Sequence, residues 1–199
     1  MKPPRPPARI GVFGGTFDPP HFGHLALAEC ARETLALDRV LFVPARVPPH
    51  KRGAPVSPPA TRLALLRAAL KGSGFALSTL ELSRPGPSWT VETLETLARR
   101  HPGAALFLLV GADSLLDLPS WREPARILEL ATLAVAERPG FDLSSVSPRA
   151  RARVTWLANP PLGIASRDLR ARVRAGRSIR FLVPDGVARL VARRKLYAK

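Results

Sequence analysis

The sequence has few cysteines and no long apolar run. Cys30 is the one cysteine in 199 residues, which excludes an intrachain disulfide and is typical of a reducing compartment. No uninterrupted apolar segment approaches the roughly 20 residues that a membrane-spanning helix needs. The first residues are basic and rich in proline, without the apolar stretch of a secretory signal. We therefore expect a soluble, cytoplasmic protein that does not contact a membrane.

Acidic residues are also scarce, with 15 Asp and Glu against 31 Lys and Arg and a net charge of +16. A chain this basic attracts polyanions, so a nucleic-acid-binding protein is the alternative class to an enzyme. However, the basic residues are spread along the sequence, which has no zinc-finger spacing, basic leucine zipper or aromatic–basic RNA-recognition strand. We expect nonspecific attraction to nucleic acid rather than a nucleic-acid function.

Strand-like and helix-like segments alternate along the chain. A strand ending at the first glycine pair is followed by strands predicted over 40–43, 75–82, 104–110, 131–136 and 154–157, with helical patterns between them. This alternation predicts an α/β fold: a single doubly wound, Rossmann-like domain over 9–199, with a mostly parallel central sheet and a helical C-terminal part. Residues 1–8 are predicted to form a flexible, basic, proline-rich tail. The sequence leaves self-association into a homo-oligomer open.

Residues suited to binding phosphate lie where the first apolar run ends. Gly14 and Gly15 follow the strand, so the backbone there can adopt positive φ and approach a ligand closely. A helix predicted over 23–35 points its free N–H groups at the same turn. His21 and His24 lie at its start on one side, where imidazoles can donate to phosphate or carry a proton. Alternatively, the two histidines could form half of a metal site, or could cap the helix and pack against it. No nearby cysteine or acidic cluster completes a metal site.

The string Gly14 to His24, GGTFDPPHFGH, resembles the phosphate-binding signature of nucleotidyltransferases with an H-x-G-H element. Its full wording is similar to that of bacterial nicotinate-nucleotide adenylyltransferases. The resemblance implies adenylyl transfer from ATP to nicotinate mononucleotide, giving deamido-NAD and pyrophosphate, with Mg²⁺ arriving as a cofactor on ATP. Nicotinamide mononucleotide and phosphopantetheine are the alternative acceptors. It implies catalytic roles for His21, His24 and Arg170 and ATP or phosphate contacts from Gly14, Gly15, Thr16, Phe17, Asp18, Gly23, Ile164 and Ser166.

Two loops are candidates for binding the acceptor. The first, after the second strand, contains Pro49-His50-Lys51, which by itself indicates an ordinary basic surface loop. The second, Ser88-Trp89-Thr90, offers hydroxyl groups and the open N–H groups of a helix start, which suit a small carboxylate unless Thr90 merely caps the helix. The resemblance implies that His50 and Lys51 contact the mononucleotide and that Ser88, Trp89 and Thr90 recognise the nicotinate carboxylate, although Trp89 replaces the family's tyrosine.

Three further residues follow predicted strands. Asp113 comes just after the strand over 104–110, where a carboxylate can bind ribose hydroxyls or cap the next helix. Trp121 suits core packing as well as ligand stacking. The resemblance implies that Asp113 contacts a nucleotide ribose and that Trp121 stacks on the pyridine ring. Arg138, after the strand over 131–136, is expected to face the ligand.

Two more helix starts are predicted from capping residues. Ser57 is expected to cap a helix that begins at Pro58. Ser166 is expected to cap a C-terminal helix, with Arg170 one turn further on the same side, so that a hydroxyl, N–H groups and a guanidinium converge as β,γ-phosphates require. The segment resembles the family's I-S-S-T-x-I-R motif, with Ala165 and Arg167 as departures from it.

Overall fold

One parallel sheet organises the chain. The structure is a computed structural model that describes residues 7–49, 56–136 and 154–198. Within them six strands form a sheet of order β3-β2-β1-β4-β5-β6, in which every neighbouring pair is parallel. The strands are β1 (Arg9–Gly15), β2 (Arg39–Pro44), β3 (Ala76–Leu77), β4 (Ala105–Gly111), β5 (Thr132–Ala136) and β6 (Val154–Leu157). Strand order reverses between β1 and β4, so their carboxyl ends form the edge where such sheets bind ligands.

Helices cover both faces of this sheet, which confirms the predicted doubly wound α/β class. The described residues form α1 (Phe22–Thr34), α2 (Pro59–Leu70), α3 (Thr90–Arg100), α4 (Ala112–Asp117), α5 (Pro124–Leu130), α6 (Ser166–Arg174) and α7 (Asp185–Arg193). None of these helices is long and apolar enough to cross a membrane. Residues 1–6 of the predicted tail lie outside the described residues.

Successive side chains along the strands point to opposite faces of the sheet, and this alternation produces two cores. Ile10 and Val12 of β1 join a cluster with residues of α3, α4 and α5, whereas Phe13 and Phe42 join a second cluster with residues of α1 and α2. Strands buried on both faces have near-continuous apolar sequences, as β1, β2, β4 and β5 do. A third cluster, with Leu65 of α2 at its centre, packs α6 and α7 against α2. The C-terminal helices therefore lie beside the β1–α1 edge of the sheet.

The predictions for β3 and for the start of α2 were wrong. The strand predicted over 75–82 is reduced to Ala76–Leu77, because the hydroxyl groups beyond it form turns: Ser78 Oγ accepts the N–H of Leu80, and Ser83 Oγ donates to the carbonyl of Thr79. Pro58 rather than Ser57 is the N-cap of α2, which begins at Pro59. Tertiary hydrogen bonds hold the backbone of Ser57 instead, as described below.

Candidate active site

The turn that joins β1 to α1, residues 16–21, lies at the reversal point of the sheet and is called the β1–α1 turn below. Gly14 and Gly15 belong to β1 and do not adopt positive φ, contrary to expectation; Phe17 does, at φ 51°. The ring of Phe17 folds back over Gly15, where an added Cβ would lie 2.9 Å from it. Gly14 is exposed, and an added Cβ there would meet nothing within 4 Å. Gly15 thus allows the Phe17 ring to pack closely, and Gly14 leaves the backbone accessible.

His21 and His24 form one unit at the start of α1. Their ring centroids are 3.7 Å apart, and His24 Nδ1 accepts the backbone N–H of His21 at 3.2 Å. Because Nδ1 is an acceptor, a neutral His24 ring carries its proton on Nε2 and can donate from there. The rings of Phe17 and Phe13 contact His24 at centroid distances of 5.1 and 5.9 Å, which fixes its orientation.

Gly23 lets these rings approach the helix. A Cβ at this position would lie 3.1 Å from the His21 ring and 3.7 Å from the carbonyl oxygen of Ile164. Ile164 is half-buried beside the third core cluster. A side chain at Gly23 would therefore press on the His21 ring, and Ile164 lies next to it across the turn.

The start of α6 contacts the other side of the β1–α1 turn. Ser166 Oγ donates to the carbonyl of Pro19 at 2.8 Å, and Arg170 Nη1 donates to the carbonyl of Asp18 at 2.7 Å. Ser166 is the first residue of α6 and Ala165 is its N-cap, so the predicted capping role was wrong. The hydroxyl bonds the turn rather than its own helix. The structure thus brings His21, His24, Ser166 and Arg170 together around one turn.

Asp18 is a structural centre of the site, with 2% of its surface exposed. One carboxylate oxygen accepts the Tyr197 hydroxyl at 2.6 Å, and the other accepts the backbone N–H of Ser57 at 3.0 Å. Burial, followed by the hydrogen bond to Asp18, raises the pKa of Tyr197 well above its ordinary range. Asp18 therefore joins the turn to the chain's last residues and to the segment before α2, and its expected contact with ATP remains a prediction.

Arg62 was not predicted from the sequence. It is fully buried, and its guanidinium donates to the carbonyls of Ser57, Thr16 and Arg46. Burial lowers its pKa, whereas the negative charge of Asp18 opposes that change. A single arginine at the start of a helix gives no sign in the sequence that it points inward.

Three of the predicted acceptor residues line one narrow groove, which has a free volume of about 10 Å³. Trp89, Thr90 and Trp121 lie there together with Pro49, Arg122 and Ile127. Thr90 is the first residue of α3 rather than its cap; Trp89 is the N-cap, and its side chain makes no capping hydrogen bond. First-turn N–H groups have no partner within their own helix, so they are suited to a ligand carboxylate. Arg122, which sequence reasoning missed, lies over the Trp89 ring at 5.6 Å, and its charge is paired with Glu92 at 3.0 Å and Glu123 at 3.4 Å.

Ser88 lies beneath this groove, with 5% of its surface exposed. Its oxygen accepts the backbone N–H of Arg46 at 2.8 Å, and its hydroxyl also bonds to Glu81. Glu81 is buried as well and accepts a 2.7 Å hydrogen bond from Thr93 Oγ1. These contacts hold the Ser88–Thr90 segment against the loop after β2. The predicted direct contact of Ser88 with substrate stays a prediction.

Asp113 lies exposed in the first turn of α4, directly beyond β4. It is at the same edge of the sheet as the β1–α1 turn, as its predicted ribose contact requires. His50, Lys51 and Arg138, the other predicted substrate contacts, lie outside the described residues. Among the described residues, no group of three or more His, Cys, Asp or Glu side chains is placed to hold a metal ion.

The reversed sheet order, with a histidine pair and an arginine around the turn at its carboxyl edge, defines the class of α/β nucleotidyl-transfer proteins. A family model described as cytidylyltransferase-like matches residues 12–172. The chain is 51% identical over 196 residues to a protein of Thermomicrobium roseum named "probable nicotinate-nucleotide adenylyltransferase", covering 96% of this chain and 92% of that protein. A protein of the same name from Thermus thermophilus is 45% identical over 190 residues, or 95% and 99% of the two chains. The chain belongs to the nicotinate-nucleotide adenylyltransferase family.

A solved structure shares the fold. The nicotinic acid mononucleotide adenylyltransferase of Plasmodium falciparum, complexed with NaAD, superposes with a TM-score of 0.80 at 19% identity, covering 96% of this chain and 97% of that one. At this level of identity the likeness concerns the architecture alone.

Proposed function

We propose that this protein transfers the adenylyl group of ATP to nicotinate mononucleotide, giving deamido-NAD and pyrophosphate. The observation that carries the proposal is the pairing of two features at one sheet edge. These are the β1–α1 turn with its histidine pair, and the groove lined by Trp89, Thr90 and Trp121. The first suits a triphosphate. The second has the aromatic rings and helix start that suit a flat ring bearing a carboxylate, but with a free volume of about 10 Å³ it must widen to admit one. The family relationship points to the same pair of substrates.

The reaction needs little from the protein beyond positioning. A phosphate oxygen of the mononucleotide, already ionised at neutral pH, attacks the α-phosphorus of ATP. The bond from that phosphorus to the β-phosphate oxygen breaks, and the electron pair leaves with pyrophosphate. No proton has to be removed from the nucleophile, so catalysis consists of alignment and stabilisation of the charge on the transferring group.

The residues around the β1–α1 turn would supply that stabilisation. His24 would donate from Nε2 to an α-phosphate oxygen, with His21 stacked against it. Arg170 uses Nη1 on the Asp18 carbonyl, and a guanidinium has five N–H donors. Its remaining donors would hold the departing pyrophosphate. Magnesium would arrive with ATP, held largely by phosphate oxygens and water, because Asp18, the carboxylate of this turn, already bonds Tyr197 and Ser57.

The groove at the start of α3 would hold the acceptor. The aromatic rings of Trp89 and Trp121 suit a pyridine ring, and the first-turn N–H groups favour a carboxylate over a carboxamide. His50 and Lys51 would contact the mononucleotide phosphate, Asp113 a ribose and Arg138 the ligand, as the resemblance implies. Of these contacts, only that of the first-turn N–H groups would distinguish nicotinate from nicotinamide mononucleotide, because the two share the phosphate, the ribose and the pyridine ring.

The first test is pyrophosphate release from ATP and magnesium with three acceptors in parallel: nicotinate mononucleotide, nicotinamide mononucleotide and phosphopantetheine. We expect the highest kcat/KM with nicotinate mononucleotide. Preference for another acceptor would refute the assignment of the groove but keep the phosphate site. Release with none of the three, together with tight binding of RNA or DNA, would favour the nucleic-acid alternative.

Replacing His24 by Ala tests the phosphate site. We expect kcat to fall roughly 10²- to 10³-fold, the usual cost of removing a donor to charge that develops in the transition state. His101→Ala is the matched control, since His101 follows α3 and lines a cavity with residues of β2 and β3 instead. Circular dichroism would establish that both variants fold. Near-normal turnover of the folded His24→Ala variant would refute the assigned role.

A further inference from the structure

Arg62 is a buried cation that the proposed reaction does not use. None of its surface is exposed. Its guanidinium donates through Nε to the carbonyl of Ser57 at 2.9 Å, through Nη1 to that of Thr16 at 3.1 Å, and through Nη2 to that of Arg46 at 3.1 Å. All three nitrogens are thus bonded to backbone carbonyls, which indicates that the side chain holds main-chain segments together.

One of these carbonyls belongs to the turn that would bind ATP, and the other two belong to residues next to β2 and α2. Thr16 begins the β1–α1 turn, on the ATP side. Arg46 comes just after β2, and Ser57 comes just before α2. Arg62 therefore joins the backbone just after β2 and just before α2 to the ATP-binding turn.

Asp18 strengthens this connection. The Asp18 carboxylate accepts the N–H of Ser57 at 3.0 Å, while the carbonyl of Ser57 accepts a hydrogen bond from Arg62. The backbone of Ser57 is held on both sides as a result. The carbonyl of Arg46 is also held by Arg62, and its N–H donates to Ser88 Oγ beneath the acceptor groove. The same set of hydrogen bonds thus reaches from the β1–α1 turn to the groove.

A buried guanidinium is a costly way to stabilise a fold. Removing an ion from water costs several kcal/mol, and well-packed apolar residues often replace buried charges without loss of stability. Arginine offers something that an apolar residue does not: a rigid planar group that fixes the relative positions of several acceptors. The fixed geometry of three segments is the property that an in-line transfer between two bound substrates needs.

We propose that Arg62 is a positioning residue that sets the distance and orientation between the ATP-binding turn and the acceptor groove, which it reaches through the backbone of Arg46 and the Ser88 hydroxyl. This inference rests on the proposed function, since it concerns the alignment of its two substrates. It assigns no substrate contact to Arg62. It also predicts a particular kinetic pattern: each substrate binds by itself, but the bound pair reacts slowly.

Arg62→Lys is the variant that tests the proposal, because lysine keeps the charge but replaces the planar fork by one ammonium group. Arg67→Lys is the matched control, an exposed arginine on the same helix. We would measure kcat, the KM of each substrate, the binding of each substrate alone by calorimetry, and the urea midpoint. We expect Arg62→Lys to lower kcat about 100-fold, as a misplacement of about 1 Å can. Each substrate alone should bind within about 3-fold of normal, and Arg67→Lys should leave every value unchanged.

A purely stabilising role gives a different result: a lower urea midpoint with normal kcat for the folded molecules, which would overturn the proposal. If Arg62→Lys does not fold at the assay temperature, Arg62→Met is used, since a buried apolar chain avoids the cost of a misplaced charge. Normal turnover by folded Arg62→Met overturns the proposal, and so does failure of both variants to fold. If the wild type prefers another acceptor, the proposed acceptor is wrong, but the role of Arg62 is still tested. The kcat values of variant and wild type are then compared with that other acceptor. Wild-type protein that uses no acceptor overturns both.

Discussion

Tyr197→Phe should destabilise the protein measurably, although it removes a single oxygen atom. The Tyr197 hydroxyl donates to Asp18 Oδ1 at 2.6 Å, and Asp18 is 2% exposed. Phenylalanine retains the ring and its packing, so the change is confined to the hydroxyl's hydrogen bonds, the one to Asp18 and one with the Ser57 side chain. The carboxylate would keep the N–H of Ser57 on its other oxygen but would lose its donor on Oδ1.

A hydrogen bond to a charged group contributes roughly 1.5–3 kcal/mol, and water cannot easily replace a donor at a buried carboxylate. We therefore expect the free energy of unfolding to fall by about 2 kcal/mol. With a urea m-value of about 2 kcal/mol/M, the midpoint would decrease by about 1 M. Combining Tyr197→Phe with Asp18→Asn should cost less than the sum of the two single changes, because both remove the same interaction.

The same contact has a pH signature. Burial, then the hydrogen bond and the negative charge of Asp18, raise the pKa of Tyr197 above that of an exposed phenol. A group with a raised folded-state pKa contributes stability that is complete below its unfolded pKa, about 10, and is lost as pH rises towards the folded value. Tyr197 is the one tyrosine, so ultraviolet absorbance follows it directly: it should ionise only as the protein unfolds. Ionisation near pH 10 in the folded protein, or a loss under about 0.5 kcal/mol in Tyr197→Phe, would refute this reasoning.

Two further predictions concern buried groups near the site. Gly15→Ala should lower the free energy of unfolding by about 1–3 kcal/mol, because an added Cβ would approach the Phe17 ring to 2.9 Å and displace it. Gly14→Ala, where an added Cβ meets nothing within 4 Å, is its matched control. Equal urea midpoints for the two variants would contradict the prediction. Burial raises the pKa of Glu81, against hydrogen bonds from Thr93 and Ser88. The wild type should therefore gain stability relative to Glu81→Gln as pH falls through the raised pKa towards the ordinary value of 4.5. A difference in urea midpoint that is independent of pH would contradict this prediction.

The sequence predicted the sheet because its strands are apolar on both faces. Residues such as Ile10, Val12 and Phe13 bury alternate faces in two cores, and a continuous apolar run is the direct result. The motif residues were predicted to meet because the carboxyl ends of parallel strands share one edge. The structure places His24, Asp113 and the Trp89 groove at that edge.

The contacts of individual polar side chains could not be predicted in the same way. Ser166 and Thr90 satisfy local rules for helix caps, yet each is the first residue of its helix, and the Ser166 hydroxyl bonds Pro19 across the fold. Arg62 and Glu81 occur in segments where charged residues are ordinarily exposed. Burial of a charge depends on partners that are distant in sequence, and local patterns do not contain that information.

The hydrogen bonds around the β1–α1 turn show how the proposed phosphate site is ordered by the fold. Ser166 and Arg170 bond to carbonyls 147 and 152 residues earlier in the chain, and Tyr197 bonds a carboxylate 179 residues earlier. Each of these bonds forms on folding, so the cost of ordering the side chains is met before a substrate binds. An arginine whose plane is already fixed by one carbonyl presents its other N–H groups at a defined angle. In a reaction that depends on alignment and charge, that prior ordering lowers the barrier, because the protein's dipoles need not reorganise as the charge develops.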